Sequence, residues 1–177
     1  MSAFELDRGL HPRIQPHYER SALALIVEGV ASDKKYLLQW NARWSVFNLI
    51  GGKVDNDLGD NDSFVRALCR ELEEEMGLMA PHDCFVAKEL KHIFLRQHSR
   101  ADNQIKNYHF CVFAVEIFPD LPLSNNRPHT FARWLSTGRE NVFVSAGEIA
   151  RLYTHDQRPI SVTTRFILQA INEPIFL

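Results

Sequence analysis

The chain has 177 residues, of which 45% are apolar and 24% charged, and its formal net charge is −2. This length suits one domain with its own hydrophobic core, and the composition is typical of a globular protein. The chain lacks the basic excess with which proteins bind phosphate backbones, so its charge argues against a nucleic-acid partner.

The sequence shows neither a targeting signal nor a cysteine motif that would assign the chain to a secreted, membrane or disulfide-rich class of protein. The first 20 residues contain no apolar signal-peptide core, and no apolar run is long enough to cross a bilayer. Cys69, Cys84 and Cys111 are odd in number and widely spaced, which argues against a disulfide framework or a zinc knuckle. We therefore expect a cytoplasmic protein with no membrane partner, folded as one domain over residues 1–177 with an N-terminal arm at 1–20.

The first half of the chain predicts three short strands and a helix. Apolar runs indicate strands at 21–30, 36–40 and 46–50, the first two forming a hairpin, and Gly51–Gly52 should end the third. A polar loop over 53–61 then leads to a helix at 62–76. Gly77 stands where a C-cap glycine belongs.

The second half predicts longer strands and two further helices. Strands are expected at 85–97, 108–118 and 131–135, with a polar loop at 98–107 that could cover a site. Helices are expected at 145–153, where Ser145 and Glu148 have capping-box spacing, and at 162–171. The fold class is therefore α/β (α+β), a mixed sheet packed between helices.

The predicted helix at 62–76 carries an unusual acidic stripe. Because helical residues advance about 100° each, Glu71, Glu74 and Glu75 share one face. Like charges at this spacing destabilise a helix, and a hard divalent cation such as Mg²⁺ removes the repulsion. The stripe indicates a metal site, although a solvated acidic face would have the same composition. The neighbouring stripe is apolar and consists of Val65, Leu68, Cys69, Leu72 and Met76.

The segment from Gly52 to Leu78 resembles the Nudix box, G-x5-E-x7-R-E-U-x-E-E-x-G-U, where U is aliphatic. The stretch from Arg70 to Leu78 matches completely, Gly52 matches the leading glycine, and Asp62 stands at the earlier glutamate. The segment 133–136, Arg-Trp-Leu-Ser, followed by a helix, is also similar to that family. The resemblance implies an α/β/α sandwich, dependence on Mg²⁺ or Mn²⁺, and hydrolysis of a nucleoside diphosphate linked to another group.

The resemblance also implies roles for individual residues. Glu71 and Glu75 are the first choices as metal ligands, with the carbonyl of Gly52 as a further ligand. Glu74 is a third ligand or the general base. Arg70 is expected to orient a glutamate through a charge-assisted hydrogen bond.

Three departures from the family pattern bear on the site. The loop between Gly52 and Asp62 is four residues longer than the family spacing. Asp62 replaces a glutamate, and we expect it to act as the helix N-cap or to contact Arg70 or, less directly, the metal. The stretch before Trp134 contains no acid that could act as the base. His129, Glu74 and the loop 98–107 are therefore the candidates for that role.

Other residues are candidates for substrate binding. Lys53 and Arg43 could contact phosphates, and Trp44 and Tyr108 could stack on a base. Phe47 and Phe110 are expected to be core residues instead.

Two alternatives use the same fold. One is an isomerase of an allylic diphosphate, which would need a reactive thiol facing the metal, with Cys111 as the candidate. The other is a non-catalytic sensor that binds a nucleotide, which the intact glutamate set disfavours, as does the lack of a separate DNA-binding unit. The family resemblance also implies a possible homodimer, with a small nucleoside diphosphate derivative as the ligand.

Overall fold

The computed structural model describes residues 17–30, 33–78, 85–99, 103–117 and 140–175. The predicted strand at 131–135, the segment 133–136, His129 and Cys84 lie outside these ranges. Within them the chain forms eight strands and three α-helices. They are β1 Tyr18–Leu25, β2 Val27–Glu28, β3 Lys35–Asn41, β4 Val46–Asn48, β5 Ile50–Lys53, α1 Phe64–Met76, β6 Phe85–Ser99, β7 Gln104–Ile117, β8 Asn141–Ser145, α2 Ala146–Arg151 and α3 Val162–Ala170.

The strands form two sheets. The first has the order β5-β1-β7-β6 and is mixed, because β1 and β7 run parallel while the other neighbours are antiparallel. The second sheet has the order β2-β3-β4, with β8 also paired to β3, and is antiparallel.

Alternation along β1 separates two cores on opposite faces of the first sheet. Ala22 and Ala24 face α1, whose Leu68 and Leu72 are fully buried there. Residues on the other face, including Leu23, pack against the second sheet, α2 and α3. The predicted fold class, a mixed sheet packed between helices, is confirmed.

Several predicted boundaries are wrong because strand pairing overrides local pattern. The β6–β7 hairpin is paired as far as His98 with Ile105 and Ser99 with Gln104, so most of the predicted loop at 98–107 is strand. Residues 18–20 of the predicted arm belong to β1. Gly51 and Gly52 do not end a strand but lie inside β5, and the single strand predicted at 46–50 is divided between the two sheets.

The helices follow the sequence more closely. The capping box of Ser145 and Glu148 is present at the start of α2, and α3 ends one residue before the predicted position. No helix among the described residues is long and apolar enough to span a membrane.

Candidate metal centre on the acidic helix

Helix α1 is fixed against the first sheet by its apolar side. Ala67, Leu68, Leu72 and Met76 are fully buried, and this burial fixes the rotation of the helix about its axis. Gly77 ends the helix in the left-handed conformation, with φ of 66°. Val65, predicted to lie on the apolar stripe, is 51% exposed, because it is in the first turn and beyond the edge of the packed face.

The acidic stripe begins at the edge of this packed side and extends towards solvent. The side chain of Glu71 is 13% exposed and that of Glu74 is 51% exposed. Glu75 is half-buried and accepts a hydrogen bond from the main-chain N–H of Gly51 at 3.2 Å. The stripe therefore faces strand β5.

Gly52 lies directly against the side chain of Glu71 on α1. A Cβ atom at this position would lie 2.1 Å from Oε1 and 2.8 Å from Oε2 of Glu71. The carboxylate thus occupies the space that any other residue would need for its side chain. The absent side chain lets a carboxylate and a strand backbone lie in direct contact.

Arg70 connects the stripe to the preceding loop. Its Nη1 donates to Oε1 of Glu71 at 2.8 Å and lies 3.4 Å from Oε2 of Glu74. Its Nη2 donates to the carbonyl oxygen of Lys53 at 2.8 Å. These contacts fix the guanidinium between β5 and α1 and orient the carboxylate of Glu71.

The main partner of Arg70 is Asp60, which the sequence analysis did not select. The two side chains form a fork-like pair, Nε to Oδ1 at 3.2 Å and Nη2 to Oδ2 at 3.0 Å, and Asp60 is 2% exposed. Hydrogen bonds from Arg70 lower the pKa of Asp60 against the opposing effect of burial, and those to Asp60 raise the pKa of Arg70.

Asp62 occupies a different place from the one predicted. It forms an ion pair with Arg20 at 3.0 Å and contacts Asn56, and its side chain is 73% exposed. Ser63, not Asp62, is the N-cap of α1. The fixed spacing from Arg70 selects Asp62, but the backbone between Asp60 and α1 is irregular, with positive φ at Asn61 and Asp62, and the buried acid is at position 60.

A second unpredicted contact comes from the other sheet. Gln39 on β3 is 5% exposed, and its Nε2 lies 3.4 Å from the carbonyl oxygen of Glu75 and 3.1 Å from Oδ1 of Asn141. The last turn of α1 is thus linked to the second sheet. No local pattern around Gln39 reveals this contact, because its partners are distant in sequence.

The donor set suits a hard divalent cation. This set comprises the carboxylates of Glu71, Glu74 and Glu75. Asp60 lies outside it and pairs with Arg70, so the positive charge of that guanidinium is shared with Asp60 and does not neutralise the three glutamates. Carboxylate and main-chain carbonyl oxygens are the protein ligands that Mg²⁺ takes. The close contact of Glu71 with Gly52 brings a carboxylate directly against the backbone of β5, so these residues fit the cation that the sequence implies.

The predicted substrate-binding residues belong to three different elements, the turn between β3 and β4, strand β5 and strand β7. Arg43 and Trp44 are in the exposed turn between β3 and β4, and Lys53 is exposed at the end of β5. Tyr108 stacks on Phe110 at 5.7 Å and packs into the core on the face of the sheet opposite α1. Phe47 and Phe110 are buried in that core, as predicted.

Comparison with solved structures shows that the chain has the Nudix fold. It superposes on NrtR of Shewanella oneidensis complexed with a 27mer DNA, with a TM-score of 0.56 and 12% identity over 86% of this chain and 60% of that one. The Nudix domain of that protein, complexed with ADP ribose, gives 0.53 and 11% identity over 94% of both chains. A Nudix hydrolase from Nitrosomonas europaea gives 0.53 and 18% identity, over 89% of this chain and 88% of that one.

A fourth structure, a UDP-X diphosphatase, gives a TM-score of 0.51 and 18% identity, over 90% of this chain and 65% of that one. The chain therefore spans less than two thirds of the length of NrtR and of this diphosphatase. No protein-family model matches the sequence, and no curated protein does. The resemblance seen in the Gly52–Leu78 segment is confirmed at the level of the fold.

Proposed function

We propose that the chain is a hydrolase, dependent on Mg²⁺ or Mn²⁺, that cleaves the phosphoanhydride bond of a nucleoside diphosphate linked to another group. The observation that carries this proposal is the contact of the Glu71 carboxylate with Gly52, where an added Cβ would lie 2.1 Å from the carboxylate. A solvated acidic cluster on a helix surface does not require a glycine at this position. A site in which carboxylate and backbone oxygens bind the same cation requires the helix and the strand to lie this close.

The residues that would hold the cation are Glu71, Glu75 and the carbonyl of Gly52, with Glu74 as a third carboxylate. When bound, the cation supplies Lewis-acid neutralisation of the diphosphate charge and activation of a water. Arg70 acts as a positioning residue, because its hydrogen bonds to Glu71 and Asp60 fix the orientation of the nearest ligand.

The reaction forms a bond between a water oxygen and one phosphorus and breaks the bridging P–O bond, so that the other phosphate leaves. The proton of the water passes to a general base. Glu74 is the base that we favour among the described residues, because its side chain is exposed and its contact with Arg70, at 3.4 Å, is longer than the 2.8 Å hydrogen bond that holds Glu71. His129 stays a second candidate.

The proposed substrate, a nucleoside diphosphate linked to another group, is suggested by the family resemblance and by the ligands of proteins with the same fold. The NrtR domain was crystallised with ADP ribose, and the diphosphatase acts on a UDP derivative. Lys53 and Arg43 are the candidate phosphate contacts. Trp44, 43% exposed, is a better candidate for stacking on a base than Tyr108, which packs into the opposite core.

The isomerase alternative is disfavoured by the position of Cys111. This residue is fully buried on β7, two strands away from β5 in the first sheet. Burial, together with Glu89, raises the pKa of its thiol to about 12. A protonated thiol at that distance from the glutamates does not meet the requirement for a reactive cysteine facing the metal.

The sensor alternative is kept as an outcome of the test, because NrtR shares the fold and was crystallised with DNA. The absence of a nucleic-acid partner, which the net charge suggests, stays a prediction, as do the cytoplasmic location and the homodimer. Ligand binding measured by calorimetry without turnover would favour a sensor.

The enzyme is tested by assaying hydrolysis of ADP-ribose, dinucleoside polyphosphates and nucleoside triphosphates, with and without Mg²⁺. We expect Glu75→Gln to lower kcat by at least about 100-fold on the best substrate. Glu73→Gln is the matched control, because Glu73 is exposed on the same helix and outside the stripe. Equal activity of the two variants would refute the assignment of Glu75, and a wild-type protein inactive on every diphosphate would refute the hydrolase.

A further inference from the structure

A second group of ligand-bearing side chains lies at the other edge of the first sheet. Glu89 and His92 on β6 and Cys111 on β7 each present a ligand atom, and these atoms lie within 4.8 Å of one another. His92 and Cys111 are partners in the β6–β7 pairing, so the backbone fixes their proximity. None of the three belongs to the acidic stripe of α1.

We propose that Glu89, His92 and Cys111 form a binding site for Zn²⁺ or a similar thiophilic divalent cation. Thiolate and imidazole ligands favour Zn²⁺ over Mg²⁺, so the site differs in kind from the one on α1. Three protein ligands leave a fourth position for water or another small ligand.

The spacing of the ligand atoms fits tetrahedral coordination. With usual Zn–S and Zn–N bond lengths, the S···N edge of a tetrahedron is about 3.6 Å and the N···O edge about 3.3 Å. In the structure, Sγ of Cys111 is 3.9 Å from Nε2 of His92, and that nitrogen is 3.0 Å from Oε1 of Glu89. These two distances are each within a few tenths of an ångström of the tetrahedral values, and the sulfur and the Glu89 oxygen lie within 4.8 Å of each other.

The imidazole of His92 is held in the orientation that this role requires. Its Nδ1 lies 2.8 Å from Nε2 of His109, which leaves Nε2 directed at Glu89 and Cys111. Its ring also packs edge-on against Phe64 with centroids 5.5 Å apart. A hydrogen bond at the second ring nitrogen is the usual support of a metal-binding histidine.

His109 is suited to be that support. It stacks on Phe94 with ring centroids 4.3 Å apart and packs edge-on against Phe64. In the metal-bound form, His92 donates from Nδ1 to Nε2 of His109, whose own proton is then on Nδ1.

Charge and access are compatible with a cation. One proton leaves the thiol of Cys111 to solvent on binding, so a thiolate and the carboxylate of Glu89 balance the two positive charges. The side chains of His92 and Glu89 are 38% and 54% exposed, whereas Cys111 is buried. An ion therefore approaches the sulfur from the solvent side, between the other two ligands.

The test is titration of the metal-stripped full chain with Co²⁺, followed by absorption spectroscopy. We expect tetrahedral bands in the visible region and a thiolate-to-cobalt charge-transfer band, saturating near one equivalent and displaced by Zn²⁺. Cys111→Ser should abolish the charge-transfer band. Cys69→Ser is the matched control, because Cys69 lies half-buried on α1 outside the cluster, and it should leave the band unchanged.

If Cys111→Ser does not fold, variants of the two exposed ligands still test the proposal. His92→Ala and Glu89→Ala should each weaken Co²⁺ binding by at least about tenfold. Glu116→Gln changes an exposed carboxylate on the neighbouring strand and should have no effect. The proposal fails if the wild type gives no charge-transfer band, if the band survives Cys111→Ser, or if neither exposed-ligand variant changes the affinity. Glu75→Gln should keep the band, so the outcome is independent of the hydrolase proposal.

Discussion

Asp60 shows how one buried side chain holds the loop before α1 in place without belonging to the proposed ligand set. It is 2% exposed, its carboxylate accepts two hydrogen bonds from Arg70, and it also accepts the main-chain N–H of Asp55 at 2.7 Å. One acid thus joins the lengthened loop to α1 and positions the guanidinium that contacts Glu71. Loss of this acid would leave the partly buried guanidinium of Arg70 with fewer partners.

We therefore predict that Asp60→Asn lowers the free energy of unfolding by about 3 kcal/mol near neutral pH, at the low end for a broken buried pair because Arg70 keeps other contacts. Asp57→Asn, at an exposed position of the same loop, is the control. Since Arg70 lowers the pKa of Asp60 below its usual 3.8, the contribution is complete above that pH and is lost as pH falls through the folded-state value.

Urea unfolding at about pH 7 and about pH 3 measures both parts of this prediction. The difference in stability between wild type and Asp60→Asn should be smaller at the lower pH. An equal difference at the two values would show that the pair with Arg70 does not set the stability of the loop.

We predict that alanine substitution affects the two glycines of β5 differently: at Gly52 it should lower activity, and at Gly51 it should lower stability. In Gly52→Ala the new Cβ meets the Glu71 side chain, which can rotate away, so the fold should survive while Mg²⁺-dependent hydrolysis falls by at least about 100-fold. In Gly51→Ala the Cβ lies 2.1 Å from the carbonyl oxygen of Ala22 on β1, and φ is +134°. This backbone contact cannot rotate away, so the protein should lose several kcal/mol of stability or fail to fold.

Thermal unfolding monitored by circular dichroism, together with the activity assay, separates the two variants. Equal stability of Gly51→Ala and Gly52→Ala would contradict the assigned contacts. Full activity of Gly52→Ala would show that the contact between the Glu71 carboxylate and Gly52 is not needed for catalysis.

At the scale of elements, α1 depends on a cap that the sequence pattern placed one residue too early. Ser63 has extended backbone angles, and its hydroxyl accepts the N–H of Arg66 at 3.3 Å. Asp62 has a positive φ of 59° and its side chain is used by Arg20. Both Asp62 and Ser63 are residue types that cap helices. Because the side chain of Asp62 is paired with Arg20, the N-cap is Ser63.

We predict that Ser63→Ala lowers the stability of the protein by about 1 kcal/mol, the usual contribution of an N-cap hydroxyl. Ser63→Asp is the control, because aspartate caps a helix as well as serine does. Equilibrium unfolding in urea gives both values. A loss in Ser63→Asp equal to that in Ser63→Ala would mean that the hydroxyl contributes by something other than capping.

The sequence correctly predicted the features that depend on residues close to one another in the chain. The apolar side of α1, the glycine at position 77 and the capping box at Ser145 depend on residues within a few positions, and all three are present. The acidic stripe followed from helical geometry alone. Its contacts with β5 did not, because Gly51 and Glu75 are 24 positions apart.

The wrong boundaries arise where pairing between distant segments decides the structure. Residues 46–53 read as one strand and a loop, yet β4 pairs with β3 and β5 pairs with β1 in another sheet. The polar residues near the tip of the β6–β7 hairpin read as a loop, but backbone pairing needs no apolar side chains and continues to Ser99. Asp60 was missed for a related reason, because an irregular loop breaks the fixed count from Arg70.

At the scale of the whole molecule, the first sheet holds the two candidate cation sites at its opposite edges. Its pairing aligns Gly52 on β5, Ala22 on β1, Cys111 on β7 and His92 on β6 in one row across the face that α1 covers. Neighbouring strands lie about 4.8 Å apart, so Gly52 and His92 are separated by about 14 Å. At such a distance, residues without shared partners contribute additively to stability.

We therefore predict that the two sites respond independently. The effects of Glu75→Gln and His92→Ala on the free energy of unfolding should add in the double variant to within about 0.5 kcal/mol. Glu75→Gln should lose stabilisation by Mg²⁺ but keep the cobalt–thiolate band, and His92→Ala should do the reverse. A coupling energy above about 1 kcal/mol would contradict this independence and show that the sheet or α1 transmits a change between its edges, because neither side chain can reach the other directly.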